Sequence, residues 1–196
     1  MIIVWEAAAE WCRGTMQKYW ETTTTRSSRG IRASCGSRAG QPRDAIGETV
    51  NLTVREGDEV IYIERVTSNR MMRVEQVVGS RAPLHVTAVG KLMLAELGDH
   101  FISAYASRTG LKAYTPHTIT TEQDLINLVH LDHAQGFAYD NEEAEEGVGC
   151  IGVLVYDGSR NVVAGLSISA PIERRKDEWV KLVKDAGRKI SERLGA

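Results

Sequence analysis

The 196-residue sequence predicts an α+β domain built on an antiparallel sheet, and three patterns carry that prediction. Residues 49–66 and 150–169 each read as two strands folded around a tight turn. Helix-patterned segments lie between the two hairpins rather than between single strands, so no βαβ alternation is present. A long segment with one apolar stripe closes the chain.

In chain order, Thr49–Val54 and Val60–Val66 alternate apolar and polar residues around Glu56-Gly57-Asp58. Met71–Val78 reads as a third strand, ended by Gly79. Ala88–Glu96 reads as a helix capped by Thr87, and 99–108 as a second helix stopped by Gly110. Thr120-Thr121-Glu122-Gln123-Asp124 is a capping-box pattern for a helix to Gln135, with Gly136 as its stop. Phe137–Asp140 is strand-like and leads into an acidic loop, 141–147, whose glutamates read as solvated. Cys150–Tyr156 and Val162–Ser169 pair around Asp157-Gly158-Ser159. Beyond Pro171, residues 173–194 read as one helix with the stripe Trp179, Leu182, Val183, Ala186, Ile190 and Leu194.

A composition break divides the chain at residues 42/43. Residues 1–42 hold three of the four tryptophans, a run of four threonines and a stretch, 26–40, dominated by Arg, Ser, Gly and Ala that reads as flexible. Residues 2–20 have helical spacing but a poor apolar stripe. Net charge is +3 over residues 1–42 and −5 over 43–196, giving −2 overall. Such a balance supports at most a salt-sensitive, nonspecific association with a polyanion. Cys12, Cys35 and Cys150 form no CxxC pair, and no window approaches the ~18 apolar residues of a membrane span. The expected location is the cytoplasm, with no membrane partner.

Two segments carry the chemistry. Thr87-Ala88-Val89-Gly90-Lys91 opens a helix, whose first turn leaves N–H groups unpaired and carries the positive end of the macrodipole. The small residues Ala88 and Gly90 would let a carboxylate approach that backbone; otherwise these N–H groups simply face water. Ser167 and Ser169 share one face of a strand, either inward with a ligand oxygen as partner or outward to solvent. Cys150 on the preceding strand would lie near them. Asp140, at the end of its strand, would accept a ligand hydroxyl, and would repel an anion unless protonated. His130 and His133 share a helical face, but no third ligand stands at zinc-like spacing. No nucleotide, hydrolase or zinc-protease motif is present, so no cofactor, metal or catalytic residue is expected.

Gly47-Glu48-Thr49-Val50-Asn51-Leu52, Val78-Gly79-Ser80-Arg81-Ala82-Pro83-Leu84-His85, Thr87-Ala88-Val89-Gly90-Lys91, Gly110-Leu111-Lys112-Ala113-Tyr114-Thr115-Pro116, Gly149-Cys150-Ile151 and Leu166-Ser167-Ile168-Ser169-Ala170-Pro171 occur in order. Together they resemble the effector-binding domain of IclR-type bacterial transcriptional regulators, from about residue 43 to the C-terminus. The resemblance implies a GAF-like fold, a curved antiparallel sheet flanked by helices, with a pocket for a small carboxylate effector. Its contacts, carried onto this chain, are Ala88, Val89, Gly90, Asp140, Cys150, Ser167 and Ser169. It also implies a homo-oligomer (dimer or tetramer) that reaches DNA through a winged helix-turn-helix, whose spacing residues 1–42 do not show. Two other readings stand beside it: a small cysteine-dependent enzyme and a ligand-free oligomerisation module.

Overall fold

The structure, a computed structural model, describes residues 46–196; the expectations for residues 1–42 lie outside the described residues. Its centre is a curved antiparallel sheet in the order β3-β2-β1-β6-β5-β4. The strands are β1 (Thr49–Glu56), β2 (Glu59–Val66), β3 (Arg81–Pro83), β4 (Ala138–Asn141), β5 (Val148–Tyr156) and β6 (Val162–Pro171). Three helices, α1 (Ala88–Leu97), α2 (Asp99–Thr109) and α3 (Glu122–Gln135), separate the two halves of the sheet in sequence, and α4 (Trp179–Arg193) ends the fold.

The helix boundaries follow local chemistry. Thr87 accepts the Gly90 N–H at the start of α1, and Thr121 accepts the Asp124 N–H at the start of α3. Gly110 and Gly136 take the left-handed conformation that ends α2 and α3.

Cross-strand partners in an antiparallel sheet point to the same side, so the register defines two faces. One carries three rows: Asp140–Cys150–Ser169–Thr49, then Ala138–Gly152–Ser167–Asn51, then Leu154–Gly165–Thr53–Tyr62. The other carries apolar rows such as Ile151–Ile168–Val50 and Val153–Leu166–Leu52. Helix α1 packs on the first face, and α4 covers the second. Strands β1, β5 and β6 are therefore buried on both sides, although β1 and β6 alternate polar and apolar residues.

Two expected elements differ. Met71–Val78 is an irregular arm, not a strand. Side chains take its carbonyls in place of a neighbouring strand: Thr49 Oγ1 donates to Val74 O (2.6 Å), Arg174 Nη2 to Met72 O (2.8 Å) and Arg65 Nη1 to Gln76 O. Met71, Met72, Val77 and Val78 are left exposed. The third strand is instead the short Arg81–Pro83. The closing helix begins at Trp179, not residue 173, because a 3₁₀ turn, Ile172–Arg174, follows Pro171. Its buried residues are Trp179, Val183, Gly187, Ile190 and Ser191; Leu182, Ala186 and Leu194 are half-buried. Gly187 belongs to the stripe because a Cβ there would lie 2.8 Å from Val153 Cγ2.

Candidate functional site

The site is assembled where the first turn of α1 meets the polar face of the sheet. Lys91 N–H donates to Thr87 O (3.0 Å) and Gly90 N–H to Thr87 Oγ1 (3.2 Å), so the helical ladder begins there. Ala88 and Val89, at the first two positions, have no preceding carbonyl to pair with inside the helix. A Cβ added to Gly152 would lie 3.0 Å from Val89 N and 3.0 Å from Ala88 Cβ, and one added to Gly165 would lie 2.7 Å from Val89 Cβ. Two glycines on adjacent strands thus let the helix start settle onto the sheet, beside Ser167, the cross-strand partner of Gly152. The small residues that permit close approach are those of the sheet.

Gly90 corrects the expectation placed on it. Its N–H is used by the cap, and a Cβ there would lie 2.3 Å from Leu84 O and 2.4 Å from Thr87 Oγ1. Its missing side chain makes room for the turn before the helix.

Both serines lie inside the protein, Ser169 at 1% exposure and Ser167 at 5%. Ser169 Oγ collects Asn51 Nδ2 (3.1 Å), Gln76 Nε2 (3.4 Å) and Cys150 Sγ (3.2 Å). The Ser167 hydroxyl meets no hydrogen-bond partner among the described residues. A hydroxyl left without a protein partner in a residue so little exposed is a place where water or a ligand can bind.

Asp140 is buried; its Oδ1 accepts the Glu143 N–H (2.9 Å) and its carbonyl accepts Arg175 Nη1 (3.0 Å). Burial first, and the neighbouring Glu143 second, push its carboxyl up to about 6. Burial, with Asp140 as the next cause, pushes the Cys150 thiol well above its usual value, and burial, with Cys150 as the next cause, holds the Tyr62 phenol up. Cys150 Sγ meets the Ser169 hydroxyl and stands across the strand from Asp140, while the buried His85 is engaged with Tyr105 and the Lys112 carbonyl. His130 and His133 face separate carboxylates, Asp99 (2.7 Å) and Glu96 (3.1 Å).

Several residues of this region escaped sequence reasoning. Lys91 and Glu143 form an ion pair that is almost completely buried. Glu143, expected to be solvated with the rest of its loop, is turned inward after Glu142, which adopts φ +63°. The carbonyls of Glu142 and Glu143 are held by Thr115 Oγ1 (2.6 Å) and Thr118 Oγ1 (2.7 Å). Glu145 and Glu146 are exposed, as expected. Asp132 of α3 joins the cluster, and burial raises its carboxyl to about 6. Asn51 was visible only as a polar residue in an alternating strand; Gln76 had no signal at all.

The family described as bacterial transcriptional regulator IclR C-terminal matches residues 23–192. The chain belongs to the IclR family. Within it, this chain is 38% identical over 152 residues to the HTH-type transcriptional regulator KdgR of Dickeya chrysanthemi, covering 76% of this chain and 50% of that protein. The chain thus spans about half the length of the curated relatives it matches. Among solved structures it is similar to the Thermotoga maritima IclR (33% identity, TM-score 0.71, 77% of this chain and 63% of that one). It is also similar to the inducer-binding domain of a PobR transcription factor double mutant from Acinetobacter, in complex with 3-hydroxybenzoic acid (25% identity, TM-score 0.66, 76% and 89% covered). The IclR-type C-terminal domain and its curved sheet are therefore what the described residues form.

Proposed function

We propose that residues 43–196 are the ligand-sensing domain of a transcriptional regulator and that the ligand is a small carboxylic acid. The observation that carries this reading is the Ser167 hydroxyl, without a protein partner, on the row of the sheet where Gly152 receives the first turn of α1 with its unpaired Ala88 and Val89 N–H groups. A carboxylate there would accept from the Ala88 and Val89 N–H groups and from Ser167, with the macrodipole favouring its charge. The solved PobR domain, whose ligand is itself a carboxylic acid, supports the same ligand class.

Asp140 is compatible with an anion because its carboxyl already titrates near 6; a carboxylate placed nearby would raise it further, so that it donates a hydrogen bond. Cys150 serves as wall, since a thiol pushed up by burial is a poor nucleophile. The domain would do no chemistry on its ligand. No helix among the described residues is long and apolar enough to cross a membrane, in keeping with work in the cytoplasm. Ligand occupancy would bias how copies of the chain assemble as a homo-oligomer, and through a winged helix-turn-helix how DNA is held.

The test is a thermal-shift and calorimetric screen of short keto, hydroxy and sugar acids. At least one acid should stabilise the domain saturably, as binding to the folded state alone requires. Ala88→Pro, at the first helical position after the extended Thr87 and lacking the N–H, should weaken that binding. No stabilising acid, or one indifferent to Ala88→Pro, would refute the proposal.

A further inference from the structure

The polar face holds two more polar groups whose needs are unmet. Asn51 Oδ1 and Gln76 Oε1 are both buried from solvent and have no hydrogen-bond partner. Asn51 itself is 1% exposed, and stands next to Ser167 in the second row of the sheet face. Gln76 arrives from the irregular arm.

Proton accounting around Ser169 agrees with the orientation of these amides. Both amide nitrogens donate to Ser169 Oγ, which fills its two lone pairs. The Ser169 hydrogen must then go to Cys150 Sγ, 3.2 Å away, and the thiol hydrogen is left for the side of Asp140, the cross-strand partner of Cys150. The chain from amides to serine to thiol to carboxylate is complete without either amide oxygen. Two neutral acceptors remain, one of them flanking the serine assigned to the carboxylate.

We infer that the Asn51 and Gln76 carbonyl oxygens form a hydroxyl-reading subsite, and that the ligand is a hydroxylated carboxylic acid rather than a plain fatty or keto acid. The inference rests on the carboxylate-sensing reading and adds to it the second functional group of the ligand. A plain acid fills the N–H end and leaves both amide oxygens buried without donors. A hydroxylated acid satisfies them, and a site built to pair a hydroxyl discriminates strongly against the analogue that lacks it. Gln76 is suited to this role because its arm is held by hydrogen bonds and exposes its apolar side chains; little core burial resists its movement to admit a ligand.

Matched pairs test this by calorimetry: butanoate against 3- and 4-hydroxybutanoate, and hexanoate against gluconate. At least one hydroxylated member should bind about tenfold or more tighter than its partner. Gln76→Met, on the partly exposed arm, should reduce that ratio about fivefold or more while leaving the plain acid unchanged. Asn51→Leu should act in the same way, and Gln76→Met stands alone if that variant does not fold. Equal binding within every pair, or a Gln76→Met effect equal on both members, overturns the hydroxyl subsite and leaves the carboxylate reading intact. Should no member of any pair bind while a keto acid of the wider screen does, the hydroxyl subsite falls and the carboxylate reading stands.

Discussion

The two faces of the sheet are buried to similar depth and built from opposite chemistry. Under α4 the rows are Ile151–Ile168–Val50 and Val153–Leu166–Leu52, apolar throughout. Under α1 the rows hold Asp140, Cys150, Ser169, Thr49, Ser167 and Asn51, divided by Gly152. Burying hydroxyls, amides and a carboxyl costs free energy unless each finds a partner. The α4 face is apolar throughout, whereas the α1 side joins a helical hydrophobic core (Leu84, Leu92, Leu94, Ile102, Leu125) to a polar patch on the sheet that tolerates incomplete satisfaction in order to recognise something. The orphan atoms fall accordingly: Asn51 Oδ1, Gln76 Oε1, Glu143 Oε2 and Asp132 Oδ2 all lie on the α1 side.

The comparison breaks hardest at the buried ion pair. Lys91→Met would strand Glu143 in the interior, and should lower stability by about 3–5 kcal/mol in urea unfolding. The double variant Lys91→Met/Glu143→Gln should recover much of that loss. On the apolar face, Leu166→Ala should cost about 2–4 kcal/mol through a cavity beneath α4, with carboxylate affinity retained. Loss of binding there without loss of stability would erase the division between the faces.

A smaller effect separates the faces by pH. Asp140 and Asp132 titrate near 6 in the folded protein, against an ordinary carboxyl in the unfolded chain near 3.9. The folded state then binds more protons between those values, so stability rises as pH falls from 7.5 to 5. The gain should be on the order of 1 kcal/mol from Asp140 alone. Urea unfolding at both pH values checks it, with Asp140→Asn expected to remove its share. Smallest of all, Ser167→Ala breaks no internal hydrogen bond and should change stability by less than about 0.5 kcal/mol. It should nevertheless weaken carboxylate binding about tenfold.

Local signals made much of this fold legible in the sequence. Thr87 and Thr121 mark helix starts because a cap is decided within four residues, and Gly110 and Gly136 mark stops for the same reason. The Ser167-Ile168-Ser169 alternation shows that the hydroxyls share a face, but not that helices cover it. The same ambiguity hid Asn51, since Thr49–Val54 alternates as a half-exposed strand does. Lys91 and Glu143 meet across 52 positions of sequence, a pairing no local pattern encodes. The arm reads as a strand because Val74, Val77 and Val78 favour one, whereas the Thr49, Arg65 and Arg174 side chains supply its hydrogen bonds.

Amide NMR resolves the central claim at the atoms concerned. Titrating a stabilising acid into the labelled protein should shift the Ala88 and Val89 amide protons downfield, saturably and with one dissociation constant, together with the Ser167 resonance. Saturable binding whose largest shifts lie on the α4 face or elsewhere, with Ala88 and Val89 unmoved, would contradict the account.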